Sequence, residues 1–300
     1  MKKHWIAIDW GTTNFRAFLL CGNERLAQID HASGLLSVEK QQFAATLYTL
    51  LEPWLQQYGS VPIIMAGMVG SPQGWQEVPY VPQPCGVQNL VSGGRMLTTP
   101  WGSQAWIVPG VQGVSQYQQP DVMRGEEVQL LGLSALHPAK EHRVLLPGTH
   151  SKHVHMADGK IVAFSTFMTG EIFSLLSQHS ILGRDLPPQC ENDAVFVFGV
   201  SLAQQDVPFS HLMFSTRTRR LAGEIPETHV LSYLSGLLIG YELSTLAGEK
   251  NAWIVGTPTL TGRYQAAAEQ MALELHPVNG DDCFVRGLAH LFTLLEEPLR

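Results

Sequence analysis

The sequence predicts an α/β protein. Short apolar runs alternate along the chain with longer segments that have helical periodicity, several of these runs end in glycine, and a strand-turn-strand pattern followed by helices occurs once in each half. Alternation of this kind favours sheets covered by helices over an all-α or all-β architecture.

In the first half, the predicted strands are joined by tight turns. Residues 5–9 and 15–20 form two strands around a turn at 11–13, and a third strand follows near 25–30. Apolar residues at helical spacing predict a helix over 38–58, with a kink or break at Pro53. Two later strands are predicted at residues 61–67 and 104–110.

In the second half, a helix is expected to begin at Gly125–Glu126, and residues 113–121 are the best candidate for a linker. The predicted strands are 143–148, 161–167 and 252–260. The predicted helices are 171–182, 229–247, 262–274 and 284–296.

Composition narrows the class of protein. A chain of 300 residues that is 45% hydrophobic can bury a large core, and at this length it has often split into two domains. The net charge of −7, with no basic run longer than Arg219–Arg220, argues against nucleic acid or an anionic membrane as a partner. The four scattered cysteines favour reduced thiols over disulfides or a zinc site.

The amino-terminal apolar stretch does not predict a signal peptide. Asp9 and Arg16 interrupt it, no small-residue cleavage site follows, and no apolar run in the chain approaches the roughly 18 residues that a bilayer-spanning helix needs. We therefore expect a cytoplasmic protein.

The turn after the first strand is a candidate phosphate site. Gly11 lets the backbone approach a ligand closely, and Thr12, Thr13 and Asn14 add side-chain donors. Asp9 would then lie beside the phosphates, where a carboxylate is useful through a cation, so Mg²⁺ bound through water is expected. The alternative is a β-hairpin whose polar residues only complete the turn.

Two adjacent acids at a predicted helix start form a second candidate site. Glu126 and Glu127 stand in the segment DVMRGEEVQLLG (121–132), where the helix dipole favours ionised carboxylates. Such a group in a cleft can accept a proton from an attacking hydroxyl. The alternative is that both acids are ordinary helix starters.

A second strand-glycine turn follows in LLPGTHSKHV (145–154). Gly148, Thr149, Ser151 and Lys152 make a credible second phosphate site. Histidines 153 and 155 alternate on a predicted strand and could pair on a metal, but no third ligand is evident, so surface histidines are the preferred interpretation.

A third such turn, in VGTPTLTGRY (255–264), could line an adenine pocket through Gly256 and Thr257, or could be a structural loop. The chain contains no Walker A sequence, no protein-kinase signature and no G-x-G-x-x-G. A bound nucleotide would therefore require another architecture.

The order of these motifs resembles that of the actin-like sugar kinases related to glycerol kinase. IAIDWGTTNFRAFLL is similar to their first phosphate motif, with Arg16 on the next strand, and RGEE stands where they have a Gly-Asp at a helix start. PGTHSKHV matches their second phosphate loop, and WIVGTPTLTGRY and RGLAHLF echo their adenosine motif and closing helix.

A closer resemblance covers nearly the whole chain. The segments IDWGTTNFRA, MAGMVGSPQGW, VMRGEEVQLLG, LPGTHSKHV, FMTGEIFSLL and LSGLLIG look like the 2-dehydro-3-deoxygalactonokinase family. The resemblance implies two ribonuclease-H-like (actin-like ATPase) domains flanking a cleft, with residues 1–117 plus 285–300 in the first and 118–284 in the second. It implies phosphorylation of the C6 hydroxyl of 2-dehydro-3-deoxy-D-galactonate with ATP and Mg²⁺, in galactonate breakdown.

The resemblance also implies roles for the candidate residues. Glu126, or less favourably Glu127, would be the catalytic base in place of the family's Asp, and Asp9 would serve catalysis through the metal. ATP would be bound by Gly11, Thr12, Thr13, Gly148, Thr149, Ser151, Lys152, Gly256 and Thr257. The sugar acid would be bound by Asn14, Ser71, Trp75 and Arg124. Lys152 could instead contact the substrate carboxylate.

Rival functions remain open at this point. A kinase for another sugar or sugar acid, such as 2-keto-3-deoxygluconate, fits the same motifs, and so does an actin-like phosphatase that is not a kinase. Polymerisation of the actin type is conceivable. The sequence leaves a homodimer open and predicts neither nucleic acid nor membrane as a partner.

Overall fold

The chain divides into two compact units. The computed structural model describes residues 3–39, 41–246 and 248–296. The first unit comprises Met1–His142, Val154–Ser165 and Gly280–Arg300, and the second comprises Arg143–His153 and Thr166–Asn279. Residues 118–142 and the segment from Gly280 lie in the first of these compact units. The predicted domains, 1–117 plus 285–300 and 118–284, stay predictions.

Strands and helices alternate through the described residues. The strands are β1 (His4–Trp10), β2 (Phe15–Cys21), β3 (Glu24–His31), β4 (Ile63–Gly67), β5 (Val81–Pro82), β6 (Arg95–Thr98), β7 (Gln104–Ile107), β8 (Val111–Val114), β9 (Pro120–Met123), β10 (Glu141–Leu146), β11 (Ser151–Ala157), β12 (Lys160–Phe167), β13 (Asn251–Gly256) and β14 (Glu274–Asn279). The α-helices are α1 (Phe43–Tyr58), α2 (Val87–Gly93), α3 (Glu126–Leu136), α4 (Thr169–His179), α5 (Asp193–Ala203), α6 (Phe209–Leu221), α7 (Val230–Ser244), α8 (Pro258–Glu269) and α9 (Gly280–Glu296).

Two sheets share one strand order. The six-stranded sheet runs β3-β2-β1-β4-β7-β6, with β1 antiparallel to β2 and parallel to β4. The five-stranded sheet runs β12-β11-β10-β13-β14, with β13 parallel to both β10 and β14. Each sheet thus places three consecutive strands beside later parallel ones, which confirms the repeated pattern expected from the sequence. Parallel strands bring their carboxyl ends to one edge, where ligands usually bind in α/β sheets.

The core of the first unit explains why α1 is not broken at Pro53. The helix runs continuously from Phe43 to Tyr58, and its apolar face buries Leu47, Leu51 and Trp54. A proline inside a helix removes one backbone hydrogen bond. Here the buried apolar stripe stabilises the helix across that position, so a break at Pro53 is wrong and the alternative, a kink, stays a prediction.

Helix α3 joins the first unit through close packing on α9. A Cβ added to Gly132 would lie 1.7 Å from the carbonyl oxygen of Cys283, and one added to Gly287 would lie 2.1 Å from that of Val128. Only glycines permit such backbone approach. This packing is the physical reason why α3 groups with α9 in the first compact unit.

Several predicted elements need correction. Residues 113–121 are not a linker, because β8 and β9 pair there as antiparallel strands. The helix expected over 262–274 ends at Glu269, and β14 begins at Glu274. The helix expected to end at residue 247 ends at Ser244, and residue 247 itself lies outside the described residues. Helices α2, α5 and α6 and strands β5, β6 and β14 were not predicted.

Within the described ranges, no helix has the length and apolar character that a membrane span requires.

Candidate active site

Two glycines bring the ends of β1 and β4 against the start of α3. Gly67 has a φ of +93°, and a Cβ on it would lie 2.7 Å from the carbonyl oxygen of Trp10 and 3.2 Å from Oδ1 of Asp9. Gly125, with a φ of +112°, would place its Cβ 3.6 Å from the Cα of Gly67. Asp9 and the first residues of α3, both predicted from the sequence to serve catalysis, therefore lie in one region of the first unit.

Residues 34–36 hold the first turn, at residues 11–13, through backbone hydrogen bonds. The backbone N–H groups of these residues donate to the carbonyl oxygens of Thr13, Gly11 and Thr12, at 3.0, 2.9 and 3.1 Å. A Cβ on Gly34 would lie 2.2 Å from the carbonyl carbon of Thr13, so a larger residue does not fit there. The side chains of Thr12, Thr13 and Asn14 are exposed and accessible to a ligand. Sequence reasoning missed Gly34, whose only signal was a Ser-Gly pair before Leu-Leu.

Arg16 links two carboxylates at the base of this turn. Its Nη2 donates to Oδ2 of Asp9 at 2.5 Å, and its Nη1 donates to Asp281 in the first turn of α9. Burial raises the pKa of Asp9, and the Arg16 guanidinium offsets part of that rise. With both acids ionised, the group carries one net negative charge. Asp281 was also missed, although two consecutive aspartates at a helix start after a strand were a signal.

The two glutamates at the start of α3 differ in access. Glu126 is half-buried and accepts a hydrogen bond from the backbone N–H of Arg124 at 3.1 Å. Glu127 is 0% exposed, and both of its carboxylate oxygens accept from the N–H of Gly125, at 2.9 and 2.7 Å. Burial, followed by the nearby charge of Glu126, raises the pKa of Glu127 to about 8. Of the two, Glu126 is the carboxylate that a substrate can reach.

Arg124 and Ser71 present buried donors with no partner. Nη2 of Arg124 donates to the carbonyl oxygen of Val78 at 2.8 Å, and the guanidinium carbon lies 4.3 Å from the ring centroid of Tyr80. Nε and Nη1 of Arg124 and Oγ of Ser71 are buried without a hydrogen-bond partner. A Cβ on Gly70 would lie 2.8 Å from Nη1, so Arg124 packs directly on the segment that carries Ser71. Buried polar atoms are rarely left unsatisfied, and an anionic ligand would complete these.

The observed contacts of the other two predicted substrate residues, Trp75 and Asn14, are with the protein itself. Trp75 is half-buried and packs against the core of the first unit. The carbonyl oxygen of Asn14 accepts from the N–H of Gly11 at 2.9 Å and so closes the first turn. Their predicted contacts with substrate stay predictions.

In the second unit, the turn after β10 is packed against the start of α4. A Cβ on Gly170 would lie 2.4 Å from the carbonyl oxygen of Gly148, and the N–H of Glu171 donates to the carbonyl oxygen of Thr149 at 3.0 Å. Nε2 of His150 pairs with Oε2 of Glu171 at 2.5 Å. A Cβ on Gly148 would meet nothing within 4 Å, so open space adjoins that residue. Thr149 is exposed.

Ser151 and Lys152 point into the protein. Ser151 is 0% exposed, and its hydroxyl donates to Oε1 of Glu242 at 2.6 Å. Lys152 is 4% exposed, and its Nζ lies 3.5 Å from the carbonyl oxygen of His150. Any contact of Ser151 with phosphate must therefore use its main chain, and Lys152 braces its own turn.

The histidines that follow are not the surface residues we expected. His153 is buried, and its Nε2 lies 2.8 Å from Oε1 of Glu242, while the side chain of His155 is 26% exposed and lies 3.6 Å from Glu141. In the part of the chain that the structure describes, no group of three or more His, Cys, Asp or Glu residues is arranged to hold a metal ion.

A cavity of about 380 Å³ opens in the second unit beside the predicted adenosine turn. Gly256 ends β13 and Thr257 is the N-cap of α8. The lining comes from the residues just after them, together with α5 and its preceding loop: Pro258, Thr259, Gly262, Arg263, Asn192 and Phe196. Arg263 also pairs with Glu191, another lining residue. Gly256 and Thr257 themselves are not among the lining residues, and their predicted contact with adenosine stays a prediction.

Comparison with known proteins gives a consistent family. Residues 9–291 match the family model of 2-keto-3-deoxy-galactonokinase. The chain is 36% identical to the 2-dehydro-3-deoxygalactonokinase of Escherichia coli K12 over 297 residues, covering 97% of this chain and 99% of that one. It is 34% identical over 299 residues to DgoK1 of Rhizobium meliloti 1021, a candidate enzyme of the same name, covering 95% of each.

Solved structures agree with this grouping and with the fold. A candidate 2-dehydro-3-deoxygalactonokinase from Sinorhizobium meliloti superposes with a TM-score of 0.89 at 32% identity, covering 98% of this chain and 99% of that one. The activator of 2-hydroxyisocaproyl-CoA dehydratase from Clostridium difficile, solved with bound ADPNP, has a TM-score of 0.52 at 11% identity over 99% of this chain and 97% of that one, which shows the fold alone. The fold is that of the actin-like ATPases and sugar kinases. The family model and both relatives cover nearly all of the chain, and we conclude that it belongs to the 2-keto-3-deoxy-galactonokinase family.

Proposed function

We propose that this protein is a kinase that transfers the γ-phosphoryl group of ATP to the C6 hydroxyl of 2-dehydro-3-deoxy-D-galactonate. In this reaction the C6 oxygen forms a bond to the γ-phosphorus, the bond from that phosphorus to the bridging oxygen breaks, and ADP leaves. Family membership supports the reaction class. The observation that carries the substrate is the pair of Arg124 guanidinium nitrogens, Nε and Nη1, that are buried without a partner, in a residue whose backbone N–H bonds the half-buried carboxylate of Glu126.

The substrate is a carboxylate, and Arg124 with Ser71 provides the matching donors. Two nitrogens of Arg124 and the hydroxyl of Ser71 are buried without partners, so they can bind an anion without first breaking contacts within the protein. A desolvated guanidinium on a rigid segment also fixes where the rest of the substrate lies.

Glu126 is the proposed general base. It stands at the first position of α3, close to Arg124, and takes the C6 proton as the phosphoryl group is transferred. Glu127 is poorly suited to this role, because it is fully buried and both of its oxygens bond the N–H of Gly125.

Groups suited to parts of MgATP occur in each unit taken by itself. In the first unit, the exposed Thr12 and Thr13 offer phosphate contacts. In the second unit, the exposed Thr149 offers another, and the cavity along α8 is of a size to take an adenine ring. Mg²⁺, when bound, neutralises charge that develops on the phosphates. Asp9 and Asp281 fit such an ion, because they share one guanidinium and keep a net negative charge.

The Asp9→Asn variant tests the metal assignment. We expect the Mg²⁺ concentration for half-maximal activity to rise by about tenfold, the order of one lost charge-assisted contact. The measurement is a Mg²⁺ titration of steady-state activity at saturating ATP. An unchanged titration curve would remove Asp9 from the metal site.

The experiment that tests the function is a substrate panel with coupled detection of ADP. The purified protein is assayed with MgATP and, in turn, 2-dehydro-3-deoxygalactonate, 2-dehydro-3-deoxygluconate, galactonate and neutral hexoses. The proposal requires ADP release that depends on 2-dehydro-3-deoxygalactonate and is highest with it. Equal rates of ADP release with and without sugar acid would favour a phosphatase. A higher kcat/KM with 2-dehydro-3-deoxygluconate would favour a kinase for that sugar acid.

Three further expectations stay predictions: a cytoplasmic location, assembly as a homodimer, and the evolutionary domain boundaries at residues 117/118 and 284/285.

A further inference from the structure

In the second unit, one buried carboxylate accepts hydrogen bonds from several segments. These segments surround the second turn, which follows β10 and contains Gly148 and Thr149. Glu242 lies in α7 and is 1% exposed. Its Oε1 accepts from the hydroxyl of Ser151 at 2.6 Å and from Nε2 of His153 at 2.8 Å. Its Oε2 accepts from the hydroxyl of Tyr264 at 2.7 Å and from that of Thr169. One carboxylate is therefore the common acceptor of four side chains.

Each donor belongs to an element beside a proposed nucleotide contact. Ser151 follows the turn that contains Gly148 and Thr149, and His153 continues the same strand. Thr169 begins α4, whose next residue, Gly170, packs on the backbone of that turn. Tyr264 lies in α8, the helix that lines the adenine-sized cavity. The network thus fixes the phosphate turn and the cavity wall to one point.

The chemistry of the network points to positioning more than to stability. Burying a carboxylate is unfavourable unless hydrogen bonds offset the loss of water, and an apolar side chain of similar size often stabilises a core equally well. Four directional bonds to one anion, by contrast, hold four segments in a single geometry. Burial alone would raise the pKa of Glu242, but its hydrogen bonds, led by that of His153, hold it below its usual value.

We propose that Glu242 is a positioning residue for ATP, holding the second phosphate turn and helix α8 in the geometry that binds the nucleotide. It touches no substrate itself and acts through Ser151, Thr169 and Tyr264. This inference rests on the proposed function only in that the protein binds MgATP, and it does not depend on which sugar acid is the acceptor.

The test compares two buried tyrosines of the second unit. Tyr264 donates to Glu242, whereas the hydroxyl of Tyr233 bonds that of Ser215 and has no part in the network. Both tyrosines are at most 2% exposed, so each change to Phe removes one buried phenol group. We expect Tyr264→Phe to weaken binding of MgATP by about threefold to tenfold and Tyr233→Phe to change it less than twofold, from the worth of one hydrogen bond to a charged group.

Glu242→Gln is the stronger variant, because an amide NH₂ replaces an oxygen that accepts two donors. We expect MgATP affinity, measured by isothermal titration calorimetry, to fall by about tenfold or more. The KM for the sugar acid should stay within about twofold, since Arg124 and Glu126 belong to the other unit. If this variant does not fold, Ser151→Ala and Thr169→Val replace it, and each must also weaken MgATP binding.

The outcomes separate the two proposals. Unmodified protein that binds MgATP but does not phosphorylate the sugar acid overturns the proposed acceptor and leaves this inference standing. Network variants that bind MgATP as the unmodified protein does, with only a lower melting temperature, show that Glu242 is structural and overturn the inference. Unmodified protein that does not bind MgATP overturns both.

Discussion

Among the described residues, two glutamates are buried, one in each unit, and their pKa values are shifted in opposite directions. Glu127 accepts hydrogen bonds from backbone N–H groups at a helix start beside the charge of Glu126, and its pKa is raised to about 8. Glu242 accepts from four side chains, among them a histidine, and its pKa is lowered. Burial is almost equal, so the donors and the neighbouring charge decide the outcome.

The difference has a functional meaning. A protonated Glu127 adds no second negative charge at the start of α3. Under the proposed function, Glu126 is then the carboxylate there that serves as base. An ionised Glu242 holds its donors in place by charge. In the two proposals, Glu127 is a neutral group beside the base Glu126, and Glu242 fixes the positions of the segments that donate to it.

The largest expected effect comes from removing the charge beside Glu127. Glu126→Gln should lower kcat by about 10²–10⁴-fold, the usual contribution of a general base, while MgATP affinity stays nearly unchanged. It should also lower the pKa of Glu127, because the charge of Glu126 contributes to the raised value. Steady-state kinetics and calorimetry measure the first two quantities.

Glu127→Gln is the matched control for that change. Because glutamine resembles the protonated acid in shape, kcat should stay within about tenfold of the unmodified protein. A loss of kcat in Glu127→Gln as large as that in Glu126→Gln, with folding intact, would make Glu127 the base and contradict the comparison.

A smaller effect is expected from Arg124→Met, which removes the proposed partner of the substrate carboxylate. The KM for the sugar acid should rise by about 10–100-fold, the worth of a buried charge-assisted contact, with the KM for ATP little changed. Arg143→Met is the control, since that arginine is an exposed residue paired with Glu249 at 3.4 Å and should change neither constant by more than about twofold. Equal effects from both variants would exclude Arg124 as the anion site.

The smallest effect is a pair of opposite pH dependences of stability. Between its unfolded pKa and about 8, native Glu127 keeps a proton that the unfolded chain has lost, so its contribution to stability falls as pH rises. Glu242 has a lowered native pKa, so its contribution is full above the unfolded value and is lost as pH falls through the folded value.

Thermal melts of the unmodified protein, Glu127→Gln and Glu242→Gln at several pH values measure these two pH dependences. From pH 5 to 8, the melting temperature of Glu127→Gln should rise relative to that of the unmodified protein. The advantage of the unmodified protein over Glu242→Gln should shrink as the solution becomes acidic. Parallel pH profiles of all three would mean that the two glutamates do not differ in ionisation.

The sequence predicted the parts of the fold that local chemistry determines. Strands β1 and β2, the turn between them and the start of α3 were predicted to within a residue or two, because apolar runs, glycines and first-turn acids are local signals. Strands β8 and β9 were mistaken for a linker, since each has four residues with one buried apolar side chain, Val111 or Met123, and so lacks an alternation of apolar residues.

The site residues also differ in whether signals next to them in the sequence indicate them. Asp9, Glu126 and Arg124 were proposed from motifs next to them in sequence, whereas Asp281 and Glu242 were not proposed because their partners are far away along the chain. Arg16 and Asp281 are 265 residues apart, and Ser151 and Glu242 are 91 residues apart. Only the folded chain brings such pairs together.

Phosphoryl transfer to the C6 oxygen of an anionic sugar is the central step of the proposed function. The most direct measurement is ³¹P NMR of the protein with MgATP and 2-dehydro-3-deoxygalactonate, followed without separation of products. We predict one new phosphomonoester signal, split by the two hydrogens on C6, that grows in step with ADP. Inorganic phosphate growing in step with ADP, with the sugar acid unchanged, would contradict the account.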